Sequence, residues 1–324
     1  MSENLQGEFA VVIPTWRRPE ALVVCLRALS RQTFLPARVL VVHKADDRPT
    51  IDLLSESHVV WAPLPVQAVE VSPDGNFLTQ LNAGIAATSE SLVAITDDDA
   101  EPWPDWLERL SEHFADPKVG GVGGRDWQAH ERGDRLVVGR ISWFGRVTGN
   151  HHLGAGPPRD VDLLKGVNWA FRGDLLRTIG VDPRLRGTGT VMNTEMSVCF
   201  AIRRRGWRLV YDPAAAVDHH VAPRADDDVN SRGRLAAGSF TDTVHNETLA
   251  MLDHLSPLGR AAFAVWAAVA GTSAAPGVGQ VVRLAWRRSP QLWVRWRATM
   301  AGRWAAWRTH RSGRALPPAN QIDR

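Results

Sequence analysis

Cysteine is nearly missing from this 324-residue chain, where Cys25 and Cys199 are the only two. Two thiols standing in helix-like runs exclude a disulfide framework and a cysteine-based zinc site, and they predict a reducing compartment. The opening, MSENLQGEF, lacks both a basic stretch and an apolar stretch, which predicts that no secretory signal is cleaved from it. Internal repeats and low-complexity tracts are lacking too, and a composition of 44% hydrophobic and 23% charged residues excludes collagen-like and wholly disordered chains. The length exceeds the ~100–200 residues usual for one domain, so one large domain with appendages, or two domains, is expected.

Acidic residues are scarce in one place. Residues 256–324 carry eleven arginines and one acid, Asp323, for a charge of about +10, while the remainder holds 27 basic against 34 acidic residues. That stretch also contains six of the fourteen tryptophans. An acidic body with a basic, Trp-rich end points to an anionic surface or a partner.

Within the body, short apolar runs alternate with helix-period segments. Strands are expected over residues 9–14, 38–43, 68–71 and 92–96, with helices over 19–31, near Ile51 and over 76–87. This alternation predicts an α/β fold with a mostly parallel central sheet. Ligands of such sheets bind outside the carboxyl ends of the strands, so residues just after Ile13, Val42 and Ile95 are the first candidates. Residues 118–165, with the Gly120–Gly124 run GGVGG, read as irregular loops with extra strands. A second ordered block follows, with a helix over 195–205 and a strand over 208–211, and Asp226–Asp228 begins a polar separator.

The strand over 92–96 runs into Asp97-Asp98-Asp99. Three successive carboxylates repel one another unless a cation or solvent relieves them. A divalent Mg²⁺ or Mn²⁺ ion, which prefers oxygen ligands and shares substrate phosphates, is the simplest remedy. An acidic loop capping the following helix is the alternative.

The context of this triplet resembles family-2 glycosyltransferases of the GT-A fold. The similarity is carried by Val12-Ile13-Pro14-Thr15-Trp16-Arg17-Arg18-Pro19, Asn82-Ala83-Gly84-Ile85-Ala86, Asp97-Asp98-Asp99 and Pro104-Asp105-Trp106-Leu107. It continues through Gly166-Val167-Asn168-Trp169 and a last cluster ending at His219. The resemblance spans about residues 9–220 and implies a GT-A-like nucleotide-binding domain over residues 1–225; the charge and tryptophan pattern makes 226–324 a separate C-terminal helical Trp/Arg-rich region. It implies that Pro14, Thr15, Arg17, Lys44, Asp47, Asn82, Asp97 and Asp98 bind the nucleotide. Gly166 and Asn168 would face the sugar or acceptor. Asp97, Asp99 and His219 would hold the metal, with His220 a competing candidate. The family's acidic pair after the second strand is replaced by His43 and Lys44, which leaves the base open, and Lys44 faces either a phosphate or solvent.

Inverting members take a catalytic base from an acidic pair before a late helix. Here Asn193-Thr194-Glu195 matches, with one acid instead of two. Glu195 is therefore the catalytic candidate, and its alternative role is stabilisation of the helix N-terminus.

In the C-terminal region, 22 uncharged residues lie between Arg260 and Arg283. They reach the ~20-residue length of a membrane span, but alanine and glycine make them weakly hydrophobic for one. Trp293, Trp296, Met300, Trp304 and Trp307 form one helical stripe bordered by arginines. Such a stripe describes a helix lying on an anionic membrane surface, with packing on the body or on a second subunit of a homo-oligomer as the alternative. Nothing resembles a nucleic-acid module. The resulting expectation is a metal-dependent, inverting enzyme that moves a sugar from a nucleotide-diphosphate donor to a glycan or lipid-linked acceptor, peripheral at the cytoplasmic face of the cell membrane. A noncatalytic nucleotide-sugar-binding or scaffold protein is the rival reading.

Overall fold

The computed structural model describes residues 8–56, 58–128, 131–220, 236–287 and 290–312. Strands β1 (Phe9–Pro14), β2 (Arg38–Lys44), β3 (Val66–Val71) and β4 (Leu92–Thr96) alternate with helices α1 (Pro19–Leu29), α2 (Arg48–Glu56) and α3 (Phe77–Ala86). All six residues of β1 are buried, because helices cover both faces of the sheet. Side chains alternate across that sheet. Val12, Leu40, Val42 and Ile95 enter one core with α3, α5 (Gly173–Ile179) and α6 (Thr194–Arg204). Val11, Ile13, Val39 and Val41 enter another with α1 and α4 (Trp106–His113).

Five further strands complete a nine-stranded sheet: β5 (Ala100–Pro102), β6 (Val119–Trp127), β9 (Arg159–Val161), β10 (Asn168–Arg172) and β11 (Arg208–His219). The order is β3-β2-β1-β4-β10-β6-β11-β5, with β9 also paired to β11. Strands β1 to β4, β6 and β11 run one way and β5, β9 and β10 the other, so the sheet is mostly parallel. A small hairpin of β7 (Arg140–Ile141) and β8 (Val147–Thr148) stands apart from it.

The GGVGG run is the middle of β6, between β10 and β11, and not an irregular loop. Glycines display no side-chain alternation, which hides such a strand from sequence patterning. Their use here is close approach. A Cβ on Gly124 would lie 1.6 Å from the Ala215 carbonyl oxygen, and one on Gly121 would lie 2.6 Å from the Phe171 ring.

The C-terminal region forms α7 (Ala237–His254), α8 (Pro257–Val269), α9 (Val278–Leu284) and α10 (Pro290–Arg311). Met251 and Leu252 of α7, Phe263 of α8 and Ala306 of α10 join the same core as α6. Asp253 accepts from Arg184 and, at 2.7 Å, pairs with His310 of α10. The proposed separator at Asp226–Asp228 lies outside the described residues. Among the described residues no helix is long and apolar enough to cross a membrane. The uncharged stretch is divided between α8, a turn with Gly271 in the left-handed region (φ 61°), and α9. On α10, Leu292, Thr299 and Ala306 are buried, whereas Trp293, Trp304 and Trp307 of the indole stripe are exposed.

Candidate active site

A cavity of about 290 Å³ opens at the carboxyl ends of β1, β2 and β4. Its floor is set by buried polar ties between strand ends. Gln80 of α3 donates to the carbonyls of Thr15 at 2.7 Å and Val42 at 2.9 Å, holding the ends of β1 and β2 together. Asn168 at the start of β10 donates to the carbonyls of Arg125 and Ala215 and accepts from Trp106 Nε1, joining β6, β10, β11 and α4.

The carboxylate run divides at this floor. Asp98 is wholly buried and accepts from Thr15 Oγ1 at 2.7 Å. Arg18 grips the run with Nη2 2.5 Å from Asp98 Oδ1 and Nη1 3.0 Å from Asp99 Oδ2. Burial raises the Asp98 carboxyl to about 7, against the pull of the Arg18 charge. Asp97 and Asp99 line the cavity instead.

His219 ends β11 beside them, with Nε2 3.5 Å from Asp99 Oδ1 and Nδ1 3.8 Å from Asp126 Oδ2. Burial opposes a charged imidazolium there, but Asp126, Asp99 and Asp97 outweigh it and raise the His219 pKa to about 9. Asp97, Asp99 and His219 offer ligand atoms within 4.8 Å of one another. Two carboxylates and an imidazole that face each other and attract a proton so strongly fit a divalent cation, whose charge answers the same need. His220 turns elsewhere and pairs with Glu101 at 3.0 Å.

Pro14, Thr15, Lys44, Gly166 and Glu195 also line the cavity. Glu195 is half-buried in the first turn of α6, whose entry residue Asn193 adopts a left-handed conformation (φ 65°) without capping the helix through its side chain. Lys44 is buried, with its ammonium 4.4 Å from the centroid of the Trp16 ring, and no described residue accepts from the buried Trp16 Nε1.

The other candidates stand away from the cavity lining. Arg17 turns outward to Asp46 at 3.2 Å, and its sequence neighbour Arg18 takes the inward place. Asp47 receives the Arg17 amide and the Thr50 hydroxyl at the start of α2. Asn82 exchanges hydrogen bonds with the backbone of Val181. Asn168 is spent on the strand ties described above. Sequence reasoning missed Arg18, Asp126 and Gln128. Asp126 would have stood out had the glycine run been read as a strand, since it lies near that strand's carboxyl end.

The sequence model of the family described as "Glycosyltransferase like family 2" matches residues 6–250. Glycosyltransferase AglE of Haloferax volcanii is 28% identical over 176 residues, covering 54% of this chain and 55% of that protein. The chain thus spans about half the length of that relative. Among solved structures, the mannosyltransferase PcManGT from Pyrobaculum calidifontis, in complex with GDP-Man and Mn²⁺, is 21% identical with a TM-score of 0.52, covering 95% of this chain and 88% of that one. Residues 1–349 of S. aureus TarS in complex with UDP-GlcNAc are 13% identical with a TM-score of 0.56, covering 94% and 92%. These likenesses establish the GT-A fold.

Proposed function

The chain belongs to glycosyltransferase-like family 2, and from that membership we propose that it transfers a sugar from a nucleotide-diphosphate donor to an acceptor hydroxyl with inversion. The observation that carries this reading is the presence of Asp97, Asp99 and His219 together with Glu195 around one cavity. Asp97, Asp99 and His219 would hold a divalent cation, Mg²⁺ or Mn²⁺, whose charge would stabilise the departing diphosphate. The residues of the chain do the rest. Thr15 and Arg18 fix the carboxylate run, and Lys44 and Lys165 add positive charge to the walls that receive the nucleotide diphosphate. Glu195 accepts the proton of the acceptor hydroxyl as its oxygen attacks the sugar carbon opposite the leaving diphosphate, a single displacement. The GDP-Man and UDP-GlcNAc in structures of like fold support a nucleotide-sugar donor.

The donor site is built within residues 1–225. The basic region over 226–324 holds the enzyme to anionic lipid at the cytoplasmic face, where a lipid-linked carrier or cell-envelope glycan supplies the acceptor hydroxyl. Donor turnover measured with a panel of UDP-, GDP- and dTDP-sugars tests the catalytic reading. Turnover should require Mn²⁺ or Mg²⁺, and it should vanish with EDTA or with Asp97→Asn/Asp99→Asn while the fold persists. Turnover indifferent to both would overturn the metal assignment, and tight donor binding without any turnover would make the chain a binding protein.

A further inference from the structure

Helix α8 is apolar on both sides. Gly259, Phe263 and Ala267 face inward, and the outward stripe of Leu258, Ala261, Val265, Ala268 and Val269 is exposed and carries no polar side chain. Helix α9 repeats the pattern. Val281 is buried, while Val278, Val282 and Trp286 just beyond the helix are 54%, 71% and 75% exposed. The two helices meet closely: a Cβ on Gly277 would lie 2.7 Å from the Ala268 carbonyl oxygen, and one on Gly279 would lie 2.9 Å from that of Val269. Only glycine lets α9 begin against the last turn of α8, so the exposed Val265 and Val269 and the exposed Val278 and Val282 belong to two helices packed end to start. The result is an exposed apolar ridge.

We propose that this α8–α9 ridge, and not the indole stripe of α10, enters the headgroup boundary of an anionic lipid bilayer. The proposal rests on the membrane-surface reading above and names the element that carries it. Charge selects the occupant. The ridge is bracketed in sequence by Arg260 and Arg283, and no Asp or Glu occurs over residues 256–322. A second copy of the chain on this face would bring like charges together, whereas anionic headgroups neutralise them. Valines flanked by arginine and an exposed indole match an interfacial element. Neither helix is long enough to span, so the ridge lies in the surface.

Co-sedimentation of the full chain with phosphatidylglycerol–phosphatidylcholine vesicles and with phosphatidylcholine vesicles tests this, alongside Val265→Asp/Val282→Asp and Trp304→Ala/Trp307→Ala. All four side chains are exposed, so circular dichroism should show the fold retained. The valine variant should partition into the anionic vesicles at least ~10-fold less than the parent chain, while the tryptophan variant stays within roughly twofold. Binding that survives the valine substitutions would overturn the ridge and leave the membrane reading standing. Failure of the parent chain to bind either vesicle would overturn both. A dimer by light scattering that Val265→Asp/Val282→Asp dissociates, without vesicle binding, would reassign the ridge to a second copy.

Discussion

Arg18 Nη2 stands 2.5 Å from Asp98 Oδ1, and Asp98 is wholly buried at the end of β4. The same guanidinium reaches Asp99, so a single cation at the entry of α1 pairs with both the buried member of the carboxylate run and a member that lines the cavity.

Removing that guanidinium strands a buried carboxylate. Arg18→Met should lower unfolding free energy by about 3–5 kcal/mol, the usual effect of breaking a buried pair from one side. Urea unfolding at neutral pH measures it. A loss under ~1 kcal/mol, the level of an exposed pair, would show that Arg18 and Asp98 are not coupled.

Glu195→Gln keeps the size of the side chain and removes its ability to take a proton. Transfer should fall at least ~10²-fold while donor affinity, read by titration calorimetry, stays near that of the parent chain. Wild-type transfer would return Glu195 to supporting the N-terminus of α6.

Gly124→Ala places a methyl group 1.6 Å from a backbone oxygen, so the contact cannot be relieved by turning a side chain. The cost should be at least ~3 kcal/mol, at the upper end for overpacking. Gly166→Ala is the control. Nothing lies within 4 Å of its added carbon, and stability should change by no more than about 0.5 kcal/mol. Similar urea midpoints for the two variants would contradict the packing of β6.

Arg38 holds the Glu90 carboxyl down to about 2, from an ordinary 4.5, through hydrogen bonds at 2.5 and 2.9 Å. A lowered carboxyl pKa contributes stability that is fully present above pH 4.5 and is lost as pH falls through about 2. Glu90→Gln should therefore cost about 2 kcal/mol at pH 7, after allowance for partial solvent screening, and almost nothing near pH 2. Thermal unfolding across that window compares the two proteins, and a constant gap would exclude this pair as the cause.

Much of the arrangement is determined by the sequence alone, for a physical reason. Strands β1, β2 and β4 are covered on both faces and must be continuously apolar, so their ends, and the position of Asp97–Asp99 beyond β4, can be read from hydrophobic runs. Helical periodicity likewise places Glu195 in the first turn of α6. Tertiary structure alone decides the rest. Arg17 and Arg18 are adjacent and chemically identical, and what separates them is the left-handed backbone at Arg17 (φ 55°), which sends one side chain to Asp46 and the other to Asp98. Asn82 and Asn168 are polar residues next to the site whose hydrogen-bonding capacity is taken by distant backbone, a fact with no local signature, whereas Asp47 accepts both from Thr50 three residues on and from the distant Arg17 amide. Strand β6 has no alternating side chains to betray it, and its glycines make sense only once Ala215 and Phe171 press against them. The uncharged stretch after Arg260 reads as one weak span, yet Gly271 and Gly277 let it fold back on itself, and in that fold Val265 and Val282 are both exposed.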